Sequence, residues 1–207
     1  MRVAIRQRLA PPPRGFPPLI EATRSDFDLN PEFRAEFQGA GPIRNAAVLI
    51  PIIDRPEAMT VLFTRRTEHL SNHAGQVSFP GGRAEPHDDG PVQTALRETE
   101  EEIGLDRSFV DVVGALGGYE TVTRFMITPV VGLVKPGFDL AIDDNEVAEV
   151  FEVPLPFLLD PANHEIHSRI WQGKPRNYFQ MCYDGHRIWG ATARMVVILS
   201  ETMRDTA

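Results

Sequence analysis

The residue types best suited to chemistry cluster in one stretch, Arg97-Glu98-Thr99-Glu100-Glu101-Glu102-Ile103-Gly104. Read as a helix at about 100° per residue from Val92, Glu98, Glu101 and Glu102 fall near ~240°, ~180° and ~280°. These carboxylates share an arc of roughly 100°, while Glu100 lies on another side. Like charges at such spacings repel by about a few tenths of a kcal/mol per pair, so the arc wants a cation. Hard oxygen donors suit Mg2+ or Mn2+, whose waters and a substrate phosphate complete the coordination shell. A solvated acidic face is the plainer reading of any Glu-rich helix. Two neighbours argue for the cation. Phe79-Pro80-Gly81-Gly82 supplies paired glycines that let backbone groups come close to a ligand. Arg97 can hold a neighbouring carboxylate through its fork of donors.

The elements that must position these groups can be read on either side. Residues 91–103 predict a helix, with Pro91 in its first turn and Gly104 at the left-handed position past its end. Val92, Leu96, Thr99 and Ile103 form its apolar line, which places the carboxylates away from the core. AAVLIPII from Ala46 and TVLFTRR from Thr60 read as strands joined by the turn Asp54-Arg55-Pro56-Glu57. Further strands are expected at 76–79, 109–116, 127–134 and 150–153, and an antiparallel pair at 164–171 and 177–183. A short helix near 157–159 and a closing helix over 191–203 complete the pattern. Strands and helices interleave without the regular alternation of a barrel or a doubly wound sheet, so the class is α/β of the α+β kind. Asn30-Pro31 opens a short helix that runs through about Phe37, and Gly39, Gly41 and Pro42 end it. Before it, Arg2, Arg6, Arg8 and Arg14 lack the continuous apolar core of an export signal, and Pro11–Pro13, Pro17 and Pro18 keep the chain extended. Residues 1–40 are therefore expected to be a surface arm and short helix, and residues 41–207 one folded domain.

Composition narrows the partners. The 207 residues carry 21 Lys and Arg against 29 Asp and Glu, a formal charge of −8. Such a chain has no electrostatic footprint for nucleic acid or an anionic membrane, and no apolar run approaches a membrane span. The one cysteine, Cys182, forms neither an internal disulfide nor a multi-cysteine zinc site; a reducing, cytoplasmic setting is the simplest home. It is expected to be buried and inert. Trp171 and Trp189 are read as core aromatics.

The charged, glycine and apolar positions match a family together. Gly82, an acid at Asp88 or Asp89, and Arg97-Glu98-Thr99-Glu100-Glu101-Glu102-Ile103-Gly104-Leu105 resemble the Nudix box, Gly-x5-Glu-x7-Arg-Glu-U-x-Glu-Glu-x-Gly-U with U apolar. Fourteen residues separate Gly82 from Arg97 where the general signature has thirteen. The first acid is Asp in place of Glu and has two candidate positions, and Thr99 stands where an aliphatic residue is usual. The extra residue is similar to the coenzyme A pyrophosphatase branch. Upstream, Leu62-Phe63-Thr64-Arg65-Arg66-Thr67, then Gly75, then Phe79-Pro80-Gly81-Gly82, resembles that branch's own signature, Leu-Leu-Thr-x-Arg-(Ser/Ala)-x3-Arg-x3-Gly-x3-Phe-Pro-Gly-Gly. Phe63, Thr67 and Ser71 depart from it, and Ser71 removes an arginine that could meet a substrate phosphate. The likeness spans roughly residues 46–193.

The resemblance implies a Nudix-like α-β-α sandwich with a mixed sheet between helices, and hydrolysis of a nucleoside diphosphate linked to another group. Glu98, Glu101 and Glu102 would hold Mg2+ or Mn2+, helped by the Gly82 carbonyl, with Arg97 beside them. The cation would neutralise the diphosphate and lower the pKa of a bound water. The base is a box glutamate or one on a later loop, with Glu146 the candidate there and Glu149 its rival. Arg65, Arg66, Gly75, Phe79 and Gly81 are carried over as substrate contacts, although strand alternation sends Arg65 and Arg66 to opposite faces. His73 is placed in a loop near the cleft, more readily as a surface residue than a working one. The expected substrate is coenzyme A or a derivative, with ADP-ribose or a dinucleotide as the alternative. A silent nucleotide-binding module fits less well with an intact glutamate set. Oligomeric state stays open, with a homodimer as the candidate.

Overall fold

The computed structural model describes residues 1–16, 24–37, 41–70, 73–171 and 173–204. Expectations that fall on Pro17, Pro18, Gly39 and Ser71 lie outside the described residues. The centre is β2 (Arg44–Ile53), whose Ala46–Ile53 stretch is an unbroken apolar run inside a sheet. It runs parallel to β8 (Phe125–Val134) on one side and antiparallel to β3 (Thr60–Arg66) and the short β5 (Gly81–Arg83) on the other. β3 also pairs with β4 (Val77–Ser78) and β9 (Val147–Pro154). β6 (Val110–Ala115) and β7 (Tyr119–Glu120) lie antiparallel on β8, and β1 (Arg24–Ser25) runs parallel to β7 at the edge. Among the described residues this makes one mixed sheet of nine strands.

Period-two alternation sorts the side chains into two layers. Ala47, Leu49 and Ile53 of β2, with Leu62, Val130 and Val134, pack under α3 (Pro91–Ile103). Ile50 and Ile52, with Val61, Phe63, Val131 and Leu133, pack instead against α4 (Leu155–Leu159) and α5 (Gly190–Arg204). The expected α-β-α sandwich is what the chain forms. A second, three-stranded antiparallel sheet, β10 (Glu165–Trp171), β11 (Lys174–Tyr183) and β12 (His186–Trp189), leads into α5.

The structure corrects three expectations here. The N-terminal residues are not a bare surface arm: α1 (Arg2–Arg8) buries Ile5 and Leu9 in the main core, and Ala10 bridges to Ala115. Arg2 and Arg6 pair with Asp54 and Asp111, so the basic run is locally neutralised. Cys182 is exposed, because its side chain lies on the face of β11 opposite the buried Met181. On α3, the buried line is shifted: Thr94, Ala95, Thr99, Ile103 and also Glu102 are covered, while Val92 and Leu96 are only partly so. The shift arises because β2 and β5 both lie under the helix, so its covered arc is wider than the apolar line alone. Gly104 does close α3 in the left-handed region, at φ 68°, where an added Cβ would strike Ala141.

Candidate active site

The acidic end of α3 lies against the glycine loop that enters β5. A Cβ at Gly82 would fall on the Glu98 carboxylate, so the bare glycine lets that carboxylate lie directly against the loop. Glu102 turns inward and accepts a hydrogen bond from the Gly81 amide at 3.1 Å. Its side chain is 6% exposed, against 19% for Glu98 and 60% for Glu101. Burial, reinforced by the Glu146 and Glu98 charges, pushes the Glu102 carboxyl up to about 8, although the Gly81 amide and Arg66 oppose it. Burial likewise raises Glu98, against the pull of Arg97.

Arg97 is the organiser. Its Nε and Nη2 donate to both oxygens of Asp88 at 3.1 and 3.0 Å. The same side chain reaches Glu98 at 3.0 Å, Glu101 at 2.9 Å and the Arg83 carbonyl at 3.2 Å. Asp88 is fully enclosed and also accepts from Thr94 Oγ1 and the Glu85 amide. Hydrogen bonding to Arg97 holds its carboxyl well below the usual carboxylate range, despite burial. Of the two candidates for the first acid, Asp88 therefore occupies the structural position, while Asp89 uses its backbone amide to meet Gln93.

Arg65 and Arg66 diverge as alternation requires, across a bulge in the β3–β9 pairing. Arg66 lies 3.7 Å from Glu102 and 3.9 Å from Glu146. Arg65 goes to the other face, where Glu149 accepts from it at 2.9 Å and also contacts His186 at 3.0 Å. Glu146 thus joins the α3 glutamates, whereas Glu149 is committed elsewhere. Gly75, at φ 66°, lies on the Arg65 side with Glu149 and His186. The Phe79 side chain is buried and stacks on Phe63 at 4.8 Å, so it supports the glycine loop from beneath.

Among the described residues, no three acidic, His or Cys side chains converge on one point. Arg97 draws Glu98 and Glu101 to one side and Glu102 faces the Gly81 amide. The donor set nevertheless fits a hard divalent cation: it is all oxygen, and two carboxyls are raised by burial and mutual repulsion that such a cation would reverse.

A cavity of about 580 Å3 opens from this loop. Arg66, Gly81 and Gly82 line one end, and Trp171, Tyr178 and Trp189 the other. Both tryptophans are half-buried at its wall instead of in the core, because strand alternation sends their side chains to the face opposite the buried Met181 and Ile188. His73 also lines it, exposed and tied to Gln76. Sequence reasoning missed this wall. The alternation of Arg and aromatic residues in Arg169-Ile170-Trp171 and Arg176-Asn177-Tyr178 was the available signal.

The chain is thus a mixed α-β-α sandwich that sets an acidic helix against a paired-glycine loop. The NUDIX domain family model matches residues 43–171, so the chain belongs to the Nudix family and is a hydrolase. It is 42% identical over 158 residues to the "Uncharacterized Nudix hydrolase NudL" of Yersinia pestis, covering 76% of this chain and 79% of that protein. The Yersinia pseudotuberculosis protein of the same name matches to the same extent. Among solved structures, a C. elegans Ap4A hydrolase complex is 18% identical with a TM-score of 0.46, over 55% of this chain and 82% of that one. A MutT protein from Methanosarcina mazei is 24% identical with a TM-score of 0.45, over 57% and 81%. No helix among the described residues is long and apolar enough to cross a membrane.

Proposed function

We propose that the protein is a divalent-metal-dependent pyrophosphatase that cleaves coenzyme A, or a derivative, to 3′,5′-ADP and (acyl-)4′-phosphopantetheine. The supporting observation is that the upstream signature and the lengthened Nudix box meet in space. Arg66, the arginine of that signature, stands beside Glu102 and Glu146 at the mouth of the cavity. There its guanidinium can take a diphosphate oxygen bidentately. Glu98, Glu101 and Glu102, with the Gly82 carbonyl, would hold Mg2+ or Mn2+. The cation supplies charge neutralisation at the diphosphate and acidifies a water. Arg97 orients Glu98 and Glu101, and Asp88 fixes Arg97. Glu146, half-exposed on the loop before β9 and 3.9 Å from Arg66, would accept the proton of the attacking water.

Incubation of the purified protein with coenzyme A and Mn2+ should release both products, resolved by chromatography. Intact coenzyme A alongside cleaved ADP-ribose or dinucleotide would move the assignment to that second substrate class. Ser71, in place of the signature's second arginine, is the observation that favours the second class.

A further inference from the structure

The loop between β8 and β9 carries Glu146 and is pinned on two sides. On one side, the Ala141 and Asp143 amides donate to the Ile103 and Glu102 carbonyls at 2.9 and 3.0 Å. These are carbonyls that a helix end leaves without partners of its own, so the loop is seated on the last turn of α3. Asp143 then closes a turn on itself. Its side chain accepts from the Asn145 amide at 2.9 Å, and its carbonyl accepts from the Glu146 and Val147 amides at 3.0 and 2.9 Å.

On the other side stands Thr67, the residue that follows β3. Its amide donates to the Glu146 carbonyl at 3.0 Å, and its Oγ1 donates to the Asn145 carbonyl at 3.1 Å. The bulge in the β3–β9 pairing makes this possible. Arg65 is opposite Glu149 but Arg66 is opposite Val147, so Ala148 is passed over and Glu146 comes level with Thr67. Thr67 is buried, and its branched side chain has few rotamers, so the hydroxyl keeps one direction. The upstream signature has Ser or Ala at this position; this chain keeps a hydroxyl there and adds a methyl.

The Glu146 side chain itself has little to hold it. It is half-exposed, and its ion pair with Arg66 is long, at 3.9 Å. An exposed pair at that distance fixes a long side chain weakly. The place of the carboxylate beside the α3 glutamates is therefore set by the backbone of 143–146, and that backbone rests on Thr67. We propose that Thr67 is a positioning residue for the hydrolysis: by clasping the Asn145–Glu146 backbone, it holds the Glu146 carboxylate where the attacking water gives up its proton. The inference rests on the reading of Glu146 as proton acceptor and adds what places it. A misplacement of about 1 Å can cost about a hundredfold in rate, so a residue that never touches substrate can have a large effect.

Thr67→Val removes the hydroxyl and keeps the branched shape, whereas Thr67→Ser keeps the hydroxyl. On the substrate cleaved with Mn2+, Thr67→Val should lower kcat by about tenfold or more with KM within about twofold. Thr67→Ser should stay within about twofold of the wild type in both. Asn145 is exposed, so water can take over its carbonyl and the fold survives; circular dichroism and a melting temperature within about 5 °C of wild type check this. A second arm needs no turnover. In the metal-free protein, Thr67→Val should speed hydrogen exchange over residues 141–147 by about tenfold or more and leave residues 91–100 unchanged. A double-mutant cycle joins the arms: on a Glu146→Gln background, Thr67→Val should change kcat by less than about twofold. Effects that multiply, a change in KM with kcat kept, or unaltered exchange over 141–147 overturn the positioning role. Turnover lost in Glu146→Gln but kept in Thr67→Val overturns this inference alone. Turnover that Glu146→Gln leaves intact overturns the proton-acceptor reading, and this inference with it.

Discussion

At the scale of single residues, the three glutamates of α3 play distinguishable parts because their burial differs. Glu101 is well exposed and is held only by Arg97. Glu101→Gln should therefore lower kcat by about two orders of magnitude or more with little change in melting temperature, since removing an exposed charge seldom costs a fold. Activity and melting assays on the same preparation check both halves; substantial unfolding would assign Glu101 a structural role. Glu102 is different. It is enclosed, and its carboxyl is raised to about 8. A carboxyl raised on folding contributes stability that is fully present below its ordinary value near 4.5 and lost as pH rises through about 8. The metal-free protein should thus lose melting temperature between roughly pH 5 and pH 8, and Mg2+ or Mn2+ should restore it. Glu102→Gln should flatten this pH dependence and stabilise the metal-free protein at pH 8, while still abolishing most activity. An unchanged pH slope in that variant would show that another group carries it.

At the scale of elements, the join between the glycine loop and α3 depends on one buried pair. Asp88 is fully enclosed, and Arg97 is nearly so. Neutralising Asp88 leaves Arg97 with Glu98 and Glu101 but removes its two charge-assisted hydrogen bonds, a loss of about 1.5–3 kcal/mol. Asp88→Asn should therefore lower stability by that order in denaturant melts and loosen Glu98 and Glu101, with a fall in kcat. Asp89→Asn should do little, because its side chain does not hold Arg97. Equal effects from the two changes would refute the choice of Asp88. The loop's other support is Phe79, whose stacking on Phe63 turns a motif residue into packing beneath the site.

At the scale of the whole molecule, the N-terminal helix belongs to the core. Ile5 is 1% exposed among residues of β6 and α5. Ile5→Ala should cost about 2–5 kcal/mol, the range for truncating a buried aliphatic side chain. Thermal or denaturant unfolding checks it; a loss below about 0.5 kcal/mol would return the segment to the status of a surface arm. β1 likewise ties residues 24–25 to β7, and Asn30 exchanges hydrogen bonds with Asn177 of β11 instead of capping a helix. The second sheet is thereby braced against the N-terminal region as well as against α5.

Local pattern alone determined much of this. β3 runs over the residues that TVLFTRR marks, and α3 ends at the two residues that Pro91 and Gly104 announce, because turn and cap preferences act within a few residues. The divergence of Arg65 and Arg66 followed from strand alternation in the same way. What only the tertiary structure decided depends on what lies opposite. Glu102 is buried because β2 and β5 sit beneath it, Asp88 rather than Asp89 reaches Arg97, and Glu146 rather than Glu149 joins the glutamates. Trp171 and Trp189 face a cavity, and Ile5 is covered by elements more than a hundred residues away. Burial and charge pairing are properties of neighbours brought together by folding, and period and spacing along one chain carry no record of them.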